Sequence, residues 1–323
     1  MALFVSVNCC HGGYVDKPFK SIEEQVEILE GRGLRTNEAT PLILERENYY
    51  SVINGYKDPF LEMPTNGVDR YLQGTAFDDV YRLFCFDRDL RMFMFRYFAI
   101  AESTLKSTCA YQFSKVHRDE IEPYLNPANY RAEPNYKGRV TKFVGELSKI
   151  VGRDPDCDSN KKPIYQREYM RHYAEHHDGI PLWVLTNYLM FGQIFKFFDF
   201  QTESMRDAIA RSYSNLYAET HQKPQKIFWP RLRRSYNHIK DFRNICAHDE
   251  RLYCSRVAPA KDIKFVDVTR DLQLVLRKDE DIAMIEGLKR MVVKLGDDLP
   301  EVPYARVLKS MGFTDMSLLK APK

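Results

Sequence analysis

Apolar residues recur every three or four positions through most of the 323-residue chain, which is the period of amphipathic α-helices. The first such helix begins at Ser21, where the sequence from Ser21 to Glu24 has the Ser-x-x-Glu form of a helix-capping box. Residues 75–116 carry the longest apolar stripe and predict either one long core helix or a kinked pair with a break at residues 87–89. Further helices are predicted over residues 38–48, 136–152, 164–179, 180–200, 203–218 and 230–251.

The pattern changes after Ser255. Residues 262–269 and 272–277 alternate between apolar and polar side chains, which predicts two short strands, and an amphipathic helix over 279–296 follows. We therefore predict an all-α fold, mainly a helical bundle, with a small strand-containing α/β appendage at the C-terminal end. The predicted regions are an irregular N-terminal segment (1–20), a helical and aromatic region (21–75), a helical core (76–255) and the appendage (256–323).

The composition narrows the range of partners. The net charge is only +3, with 48 Lys and Arg against 45 Asp and Glu, so nucleic-acid binding requires a local cluster of basic residues. The seven cysteines form no Cys-x-x-Cys pair, which predicts reduced thiols and argues against a zinc ribbon. Neither a signal peptide nor a transmembrane segment is recognisable, so we expect a cytoplasmic protein with no membrane partner. We also expect no cofactor.

The stretch KDFRNICAHDERLY, residues 240–253, gathers several polar side chains in a predicted helix. If residues 231–253 are helical, one side carries the apolar residues Leu232, Tyr236, Ile239, Phe242 and Cys246. The opposite side carries Asp241, Asn244, His248 and Arg251. Arg243 lies at the edge of the apolar side, where a charged side chain is seldom unpaired. We expect its partner to be Glu102, a carboxylate in the long apolar helix that also needs a counter-charge.

A histidine beside an arginine has the chemistry that metal-free RNA cleavage requires. An imidazole with a near-neutral pKa can take the proton of a 2′-hydroxyl or supply one to the leaving oxygen. An arginine can donate two hydrogen bonds to phosphate oxygens and stabilise the charge of the transition state. Asn244, one turn before His248, is placed to orient the imidazole or to donate to phosphate. The spacing alone has low specificity, since a single helical histidine is usually a surface residue.

The stretch FRNICAHDERLY resembles the HEPN ribonuclease motif, in which four to six residues separate an arginine from a following histidine. The wider chain resembles the AbiD/AbiF (Abi_2) family of bacterial abortive-infection proteins. The matching segments are LEGRGL (29–34), ENYYSVINGYKDPF (47–60), FDDVYRLFCFDRDLR (77–91) and IPLWVLTNYLMFGQI (180–194). This resemblance implies an all-α HEPN-like fold, a role in phage defence or in a toxin–antitoxin system, and an endoribonuclease activity without a metal. It also implies that Arg243 and His248 are catalytic and that Asn244 supports them, so we count these three as the catalytic set. From the expected ion pair and the helical phasing we add Glu102, Asp241 and Arg251 as supporting residues.

HEPN nucleases generally assemble one site from two facing motifs. Residues 167–172 and 171–176 also fit Arg-x4-His, but this polar segment has no apolar stripe and matches so loose a pattern by chance. We therefore expect the second motif to come from a second copy of the chain, in a homodimer. The histidines of the same segment, His172, His176 and His177, lack a further ligand at fixed spacing, so we expect no metal site.

Basic residues precede the motif and form a candidate RNA-binding track: Arg231, Arg233, Arg234 and Lys240. Basic charge on a helix is more often simply solvated, so the track alone does not establish RNA binding. The main alternative to a nuclease is a non-catalytic HEPN-fold protein that holds a cognate structured RNA, and a third is a structural dimerisation module.

Overall fold

A computed structural model describes residues 19–62, 69–153, 167–258 and 262–313. The chain divides into two compact units, residues 1–84 and 85–323. In these described ranges the regular structure is helical, with only isolated β-bridges and no β-strand. No helix in the described part of the chain combines the length and the apolar character needed to span a membrane.

The first unit contains two short helices and the start of a long one. Helix α1 covers Ile22–Gly31 and begins with the predicted capping box, since the Ser21 side chain and the Glu24 side chain each accept from the other residue's backbone N–H. Helix α2 covers Thr40–Glu47, a π-helical turn follows at Tyr50–Asn54, and a 3₁₀ turn follows at Asp58–Phe60. The buried apolar residues of this unit include Leu29, Leu44, Val52, Ile53 and Phe60.

The long apolar stripe forms one continuous helix, α3, at Phe77–Val116, so the predicted break at residues 87–89 is absent. Asp87 lies inside this helix and is completely buried. The chain then runs through two 3₁₀ turns before the remaining helices. These are α4 (Pro134–Ile150), α5 (Glu168–His176), α6 (Leu182–Leu185), α7 (Phe191–Asp199), α8 (Glu203–His221), α9 (Trp229–Ala247), α10 (Phe265–Val275), α11 (Lys278–Asp298) and α12 (Glu301–Met311).

Helix α9 lies at the centre of the second unit, where it packs against α7, α8 and α10. The Tyr236 hydroxyl is buried in this helix and donates to the backbone carbonyl of Ala101 at 2.9 Å. It also shares a 2.6 Å hydrogen bond with the Tyr213 hydroxyl. These two bonds join α9 to α3 and to α8, and they satisfy a hydroxyl that would otherwise be costly to bury.

The predicted strands at residues 262–269 and 272–277 are wrong, because α10 occupies most of this range. The buried residues Phe265, Val268, Leu272 and Val275 repeat at three and four positions, which is the helical period. The Asp271 carboxylate accepts from Ser235 Oγ at 2.5 Å and contacts His238 Nδ1 at 2.8 Å. A short apolar run fits both the strand period and the helical period, and packing against α9 therefore selects the helix.

Candidate active site at the end of helix α9

Helix α9 ends at Ala247, six residues before the expected end at Tyr253, and His248 is its C-cap. The His248 N–H still donates to the Asn244 carbonyl, at 3.0 Å. Asp249 then adopts a left-handed conformation with φ of 56°, and the Glu250 N–H donates to the Ile245 carbonyl at 3.0 Å. This is the hydrogen-bond pattern of a Schellman C-cap, here with aspartate where glycine is usual.

Because α9 ends earlier than expected, the residues predicted to share its polar side do not all lie on the helix. Asp241 and Asn244 lie within the helix and keep the predicted helical relationship. Arg251 lies beyond the helix, so the ten-residue spacing from Asp241 no longer places the two on one helical side. The Arg251 side chain is exposed, and its backbone carbonyl accepts from the Ser255 hydroxyl.

The segment after His248 is fastened to α3 by a buried carboxylate. Asp87 Oδ2 accepts from the Leu252 N–H at 3.0 Å, and Asp87 Oδ1 accepts from the Tyr253 N–H at 2.7 Å. Arg91 donates to Asp87 at 2.9 Å and extends its other guanidinium nitrogen to Asp249. One buried acid–base pair therefore fixes the path of the chain immediately after the histidine.

The predicted partner of Arg243 is confirmed. Arg243 Nη2 lies 3.4 Å from Glu102 Oε2, and Glu102 Oε1 lies 2.9 Å from Lys106 Nζ. The Arg243 guanidinium also lies 5.7 Å from the centre of the Phe95 ring, and its Nη1 donates a long 3.5 Å bond to Asn244 Oδ1. Arg243 is partly exposed, so it keeps contact with solvent while its direction is set by α3.

His248 is exposed at the end of the helix, and within the described ranges its imidazole has neither a hydrogen bond nor an ion pair. Asn244 is half-buried one turn earlier. Asp241 pairs with Lys240 and receives a 3.5 Å bond from the Asn237 amide. The structure thus places an oriented arginine, an amide and an accessible imidazole near one helix end, which is a chemically competent set for general acid–base work on a phosphodiester.

The basic track preceding the motif divides between structural and exposed residues. Arg233 binds the buried carboxylate of Asp199 through both Nε and Nη2. Lys240 forms an ion pair with Asp241. Arg231 and Arg234 are exposed, and neither forms an ion pair within the described parts of the chain. Two of the four track residues therefore have local partners that an RNA phosphate would have to displace.

The alternative motif lies on α5, with Arg167 at its N-cap. Arg171 lies 3.6 Å from Glu168, and the exposed rings of His172 and His176 stack with centres 4.8 Å apart. Among the residues that the structure covers, no group of three or more His, Cys, Asp or Glu side chains is arranged to hold a metal ion.

The cysteine inside the motif has an unreactive thiol. Cys246 lies two residues before His248, and its burial together with the Asp87 charge raises the pKa of the thiol to about 12. Burial also raises the pKa of the Cys254 thiol above its ordinary value. Both sulfurs are therefore protonated at neutral pH and are poor nucleophiles.

Sequence reasoning missed Asp87 and Arg91 as positioning residues. Their four-residue spacing inside an otherwise apolar helix was a usable signal, since a buried aspartate needs a partner one turn away. Their bonds to residues 249–253 had no signal in the sequence, because the two segments lie more than 150 positions apart.

Comparison with protein families gives one match. The model of the family described as Abi-like protein matches residues 42–254, which is more than half of the chain and includes Glu102, Arg243 and His248. Neither the curated proteins nor the solved structures yield a match.

Proposed function

The chain belongs to the Abi-like protein family, and on that premise we propose that it is a metal-independent endoribonuclease of the HEPN type. Family membership indicates an abortive-infection protein. The nuclease chemistry, the RNA substrate and the setting in phage defence or in a toxin–antitoxin system are our proposal.

In the proposed reaction the imidazole of His248 accepts the proton of an RNA 2′-hydroxyl as its oxygen attacks the neighbouring phosphorus. The bond to the 5′-oxygen breaks, a proton is delivered to that oxygen, and the products are a 2′,3′-cyclic phosphate and a free 5′-hydroxyl. Arg243 stabilises the charge that builds on the non-bridging oxygens. Asn244 supports the same phosphate or the imidazole.

One observation carries this proposal. Glu102 orients Arg243 from α3, at 3.4 Å, while His248 on the same helix end is exposed and free of protein partners in the described ranges. The arginine is thus held in a fixed direction, while the imidazole five residues later is accessible to a substrate.

We propose that two copies of the chain form the complete site, with their α9 ends facing each other. The reaction needs both a proton acceptor and a proton donor, and each copy supplies one exposed imidazole at position 248. A two-fold axis brings the same surface of both copies together, so one motif per chain is sufficient. Arg231 and Arg234, which precede the motif on α9, are available to attract the RNA backbone.

The test compares the wild type with His248→Ala and Arg243→Ala on mixed RNA in the presence of a metal chelator. We expect the wild type to cleave and to leave cyclic-phosphate ends, and we expect no cleavage by His248→Ala or Arg243→Ala. His176→Ala serves as the matched control, because it removes an exposed histidine of the alternative motif, and we expect it to cleave like the wild type. Equal cleavage by His248→Ala and the wild type would refute the catalytic role.

A second measurement separates the nuclease from the RNA-binding alternative. RNA affinity is measured for the wild type and for His248→Ala under conditions that permit cleavage. Binding by both proteins without cleavage by either would support a protein that holds RNA. Sedimentation of the wild type tests the dimer, since a monomer at the concentrations that support cleavage contradicts the two-chain site.

A further inference from the structure

A groove lies between the C-terminal half of α3 and the short helix α6, outside the residues assigned to catalysis. It encloses about 730 Å³. We call it the α3–α6 groove and define it by the side chains that characterise its chemistry: Lys106, Tyr111, Lys115, Arg118, Trp183 and Asn187.

The groove exposes two large aromatic rings. Trp183 is 56 % exposed and Tyr111 is 66 % exposed, although the neighbours of Trp183 in α6 are buried. Leaving large aromatic surface in water forgoes the free energy of burying it, and such exposure commonly marks a binding surface. Aromatic faces at the wall of a groove are suited to flat ligands such as nucleobases.

The charged side chains that line the groove are all basic. Lys106, Lys115 and Arg118 line it, and no carboxylate belongs to the described residues of its lining. Lys115 and Arg118 are exposed and form no ion pair within the described ranges. Lys106 and Lys115 lie about 14 Å apart along the axis of α3, and Arg118 follows just beyond the end of the helix. A row of cations beside aromatic rings is the combination that holds single-stranded nucleic acid.

One carboxylate links a lysine of the groove to the candidate catalytic arginine. Glu102 pairs with Lys106 at 2.9 Å and with Arg243 at 3.4 Å. The first cation of the groove and the candidate catalytic arginine are therefore held by the same side chain.

We propose that the α3–α6 groove binds a single-stranded segment of the RNA substrate, with bases stacked on Trp183 and Tyr111 and phosphates bound by Lys106, Lys115 and Arg118. The choice of RNA rests on the proposed nuclease function. The choice of a single strand rests on the aromatic rings, because the bases of an A-form duplex are already stacked on one another and present no free face.

Tryptophan fluorescence gives a direct test of stacking. The chain contains two tryptophans, so Trp229→Phe leaves Trp183 as the only reporter and keeps an aromatic ring beneath Arg206. The substitution is made together with His248→Ala to prevent cleavage, and the protein is titrated with a fluorescein-labelled oligouridylate. We expect Trp183 emission to be quenched in parallel with the rise in oligonucleotide anisotropy. Binding with unchanged Trp183 emission would overturn the stacking.

Affinity measurements test the two halves of the proposal separately. Trp183→Ala is expected to weaken oligouridylate binding by about fivefold or more, whereas Trp183→Phe retains most of the affinity. Lys115→Gln with Arg118→Gln is expected to weaken binding and to reduce the slope of log affinity against log salt by about 1.4. Lys137→Gln with Lys142→Gln removes two exposed lysines of α4 and is the matched control, for which affinity and slope stay unchanged.

The outcomes distinguish the groove from the nuclease proposal. If the wild type cleaves RNA through His248 but the groove variants bind like the wild type, the groove proposal alone fails. If the groove variants lose binding but His248→Ala does not differ from the wild type in cleavage, the nuclease proposal fails and the groove stands. If Trp183→Ala changes the sedimentation of the protein and leaves RNA affinity intact, the groove is an interface between copies of the chain, and the RNA proposal is refuted.

Discussion

Replacing Asp87 by asparagine tests whether the end of α9 is held from α3. The carboxylate is completely buried, and its hydrogen-bond donors include the Arg91 guanidinium at 2.9 Å and the N–H groups of Leu252 and Tyr253 at 3.0 and 2.7 Å. A hydrogen bond to a charged group contributes about 1.5–3 kcal/mol, and removing one member of a buried ion pair costs about 3–5 kcal/mol. Asparagine retains one acceptor oxygen, so we expect a loss of about 3 kcal/mol in the free energy of unfolding, near the low end of that range.

The measurement combines urea unfolding with amide hydrogen exchange. Asp89→Asn is the matched control, since Asp89 lies on the same helix but is exposed, and its stability is expected to change by less than about 0.5 kcal/mol. In Asp87→Asn the amides of Leu252 and Tyr253 are expected to exchange faster than the lower global stability requires, because their acceptor has weakened. If these two amides keep the protection of the surrounding core while stability falls, Asp87 does not hold this segment.

Three further substitutions test other parts of the second unit. Glu102→Gln removes the charge that orients Arg243, and we expect kcat for RNA cleavage to fall about tenfold with a smaller change in KM; an unchanged kcat contradicts the positioning role. Asp281 is buried, with one oxygen lacking a hydrogen-bond partner, and burial raises the pKa of its carboxyl to about 6. Because the folded state favours the protonated acid, stability falls as the pH rises from about 4 to about 6 and stays lower above that; Asp281→Asn is therefore expected to stabilise the protein by up to about 3 kcal/mol at pH 8 and to make little difference below pH 4. Thermal unfolding at the two pH values measures this, with exposed Asp279→Asn as the matched control, and an equal effect of Asp281→Asn at both pH values would contradict it. Tyr236→Phe removes a buried hydroxyl with two partners and is expected to lower the free energy of unfolding by about 1–3 kcal/mol, measured by urea unfolding; a change below about 0.5 kcal/mol would mean that the two bonds add nothing net.

Much of the helical architecture follows from apolar periodicity, because a three- or four-residue repeat persists over many turns in α3 and α9. The contact between Arg243 and Glu102 was also predictable, since each charge lies in an apolar setting that demands a partner. In both cases the information is carried by the residue itself and its near neighbours along one helix.

The end of α9 was not predictable in the same way. No glycine or proline marks it, and the left-handed residue is Asp249, whose intrinsic preference for ending a helix is weak. The deciding interactions come from Asp87 and Arg91, which lie far away in the sequence. Helix α9 ends because the tertiary hydrogen bonds made by the residues after it stabilise the chain more than one further helical turn would.

Helix α10 was also mispredicted from its local sequence, in this case as two strands. The residues Phe265, Val266 and Val268 are β-branched or aromatic and favour strands in isolation. Lys264 N–H donates to Asp267 Oδ2 at 2.9 Å and caps a helix instead, and Asp271 faces two polar groups of α9. Local propensity was therefore overridden by packing against the neighbouring helices α9 and α8, which a short alternating run does not reveal.

The pairing of Glu102 with two cations bears on how RNA enters the proposed site. One carboxylate faces both Lys106 and Arg243, so this cluster keeps an excess of positive charge even when all its ion pairs are formed. A phosphate approaching along the α3–α6 groove therefore finds uncompensated charge beside Arg243, and it need not displace Glu102 to be attracted. Neutralising Lys106 would leave Glu102 and Arg243 as a balanced pair. For that reason we expect Lys106→Gln to weaken oligouridylate binding and to lower the salt slope by about 0.7, while the orientation of Arg243 by Glu102 is retained. A salt slope equal to that of the wild type would show that this charge does not meet the RNA.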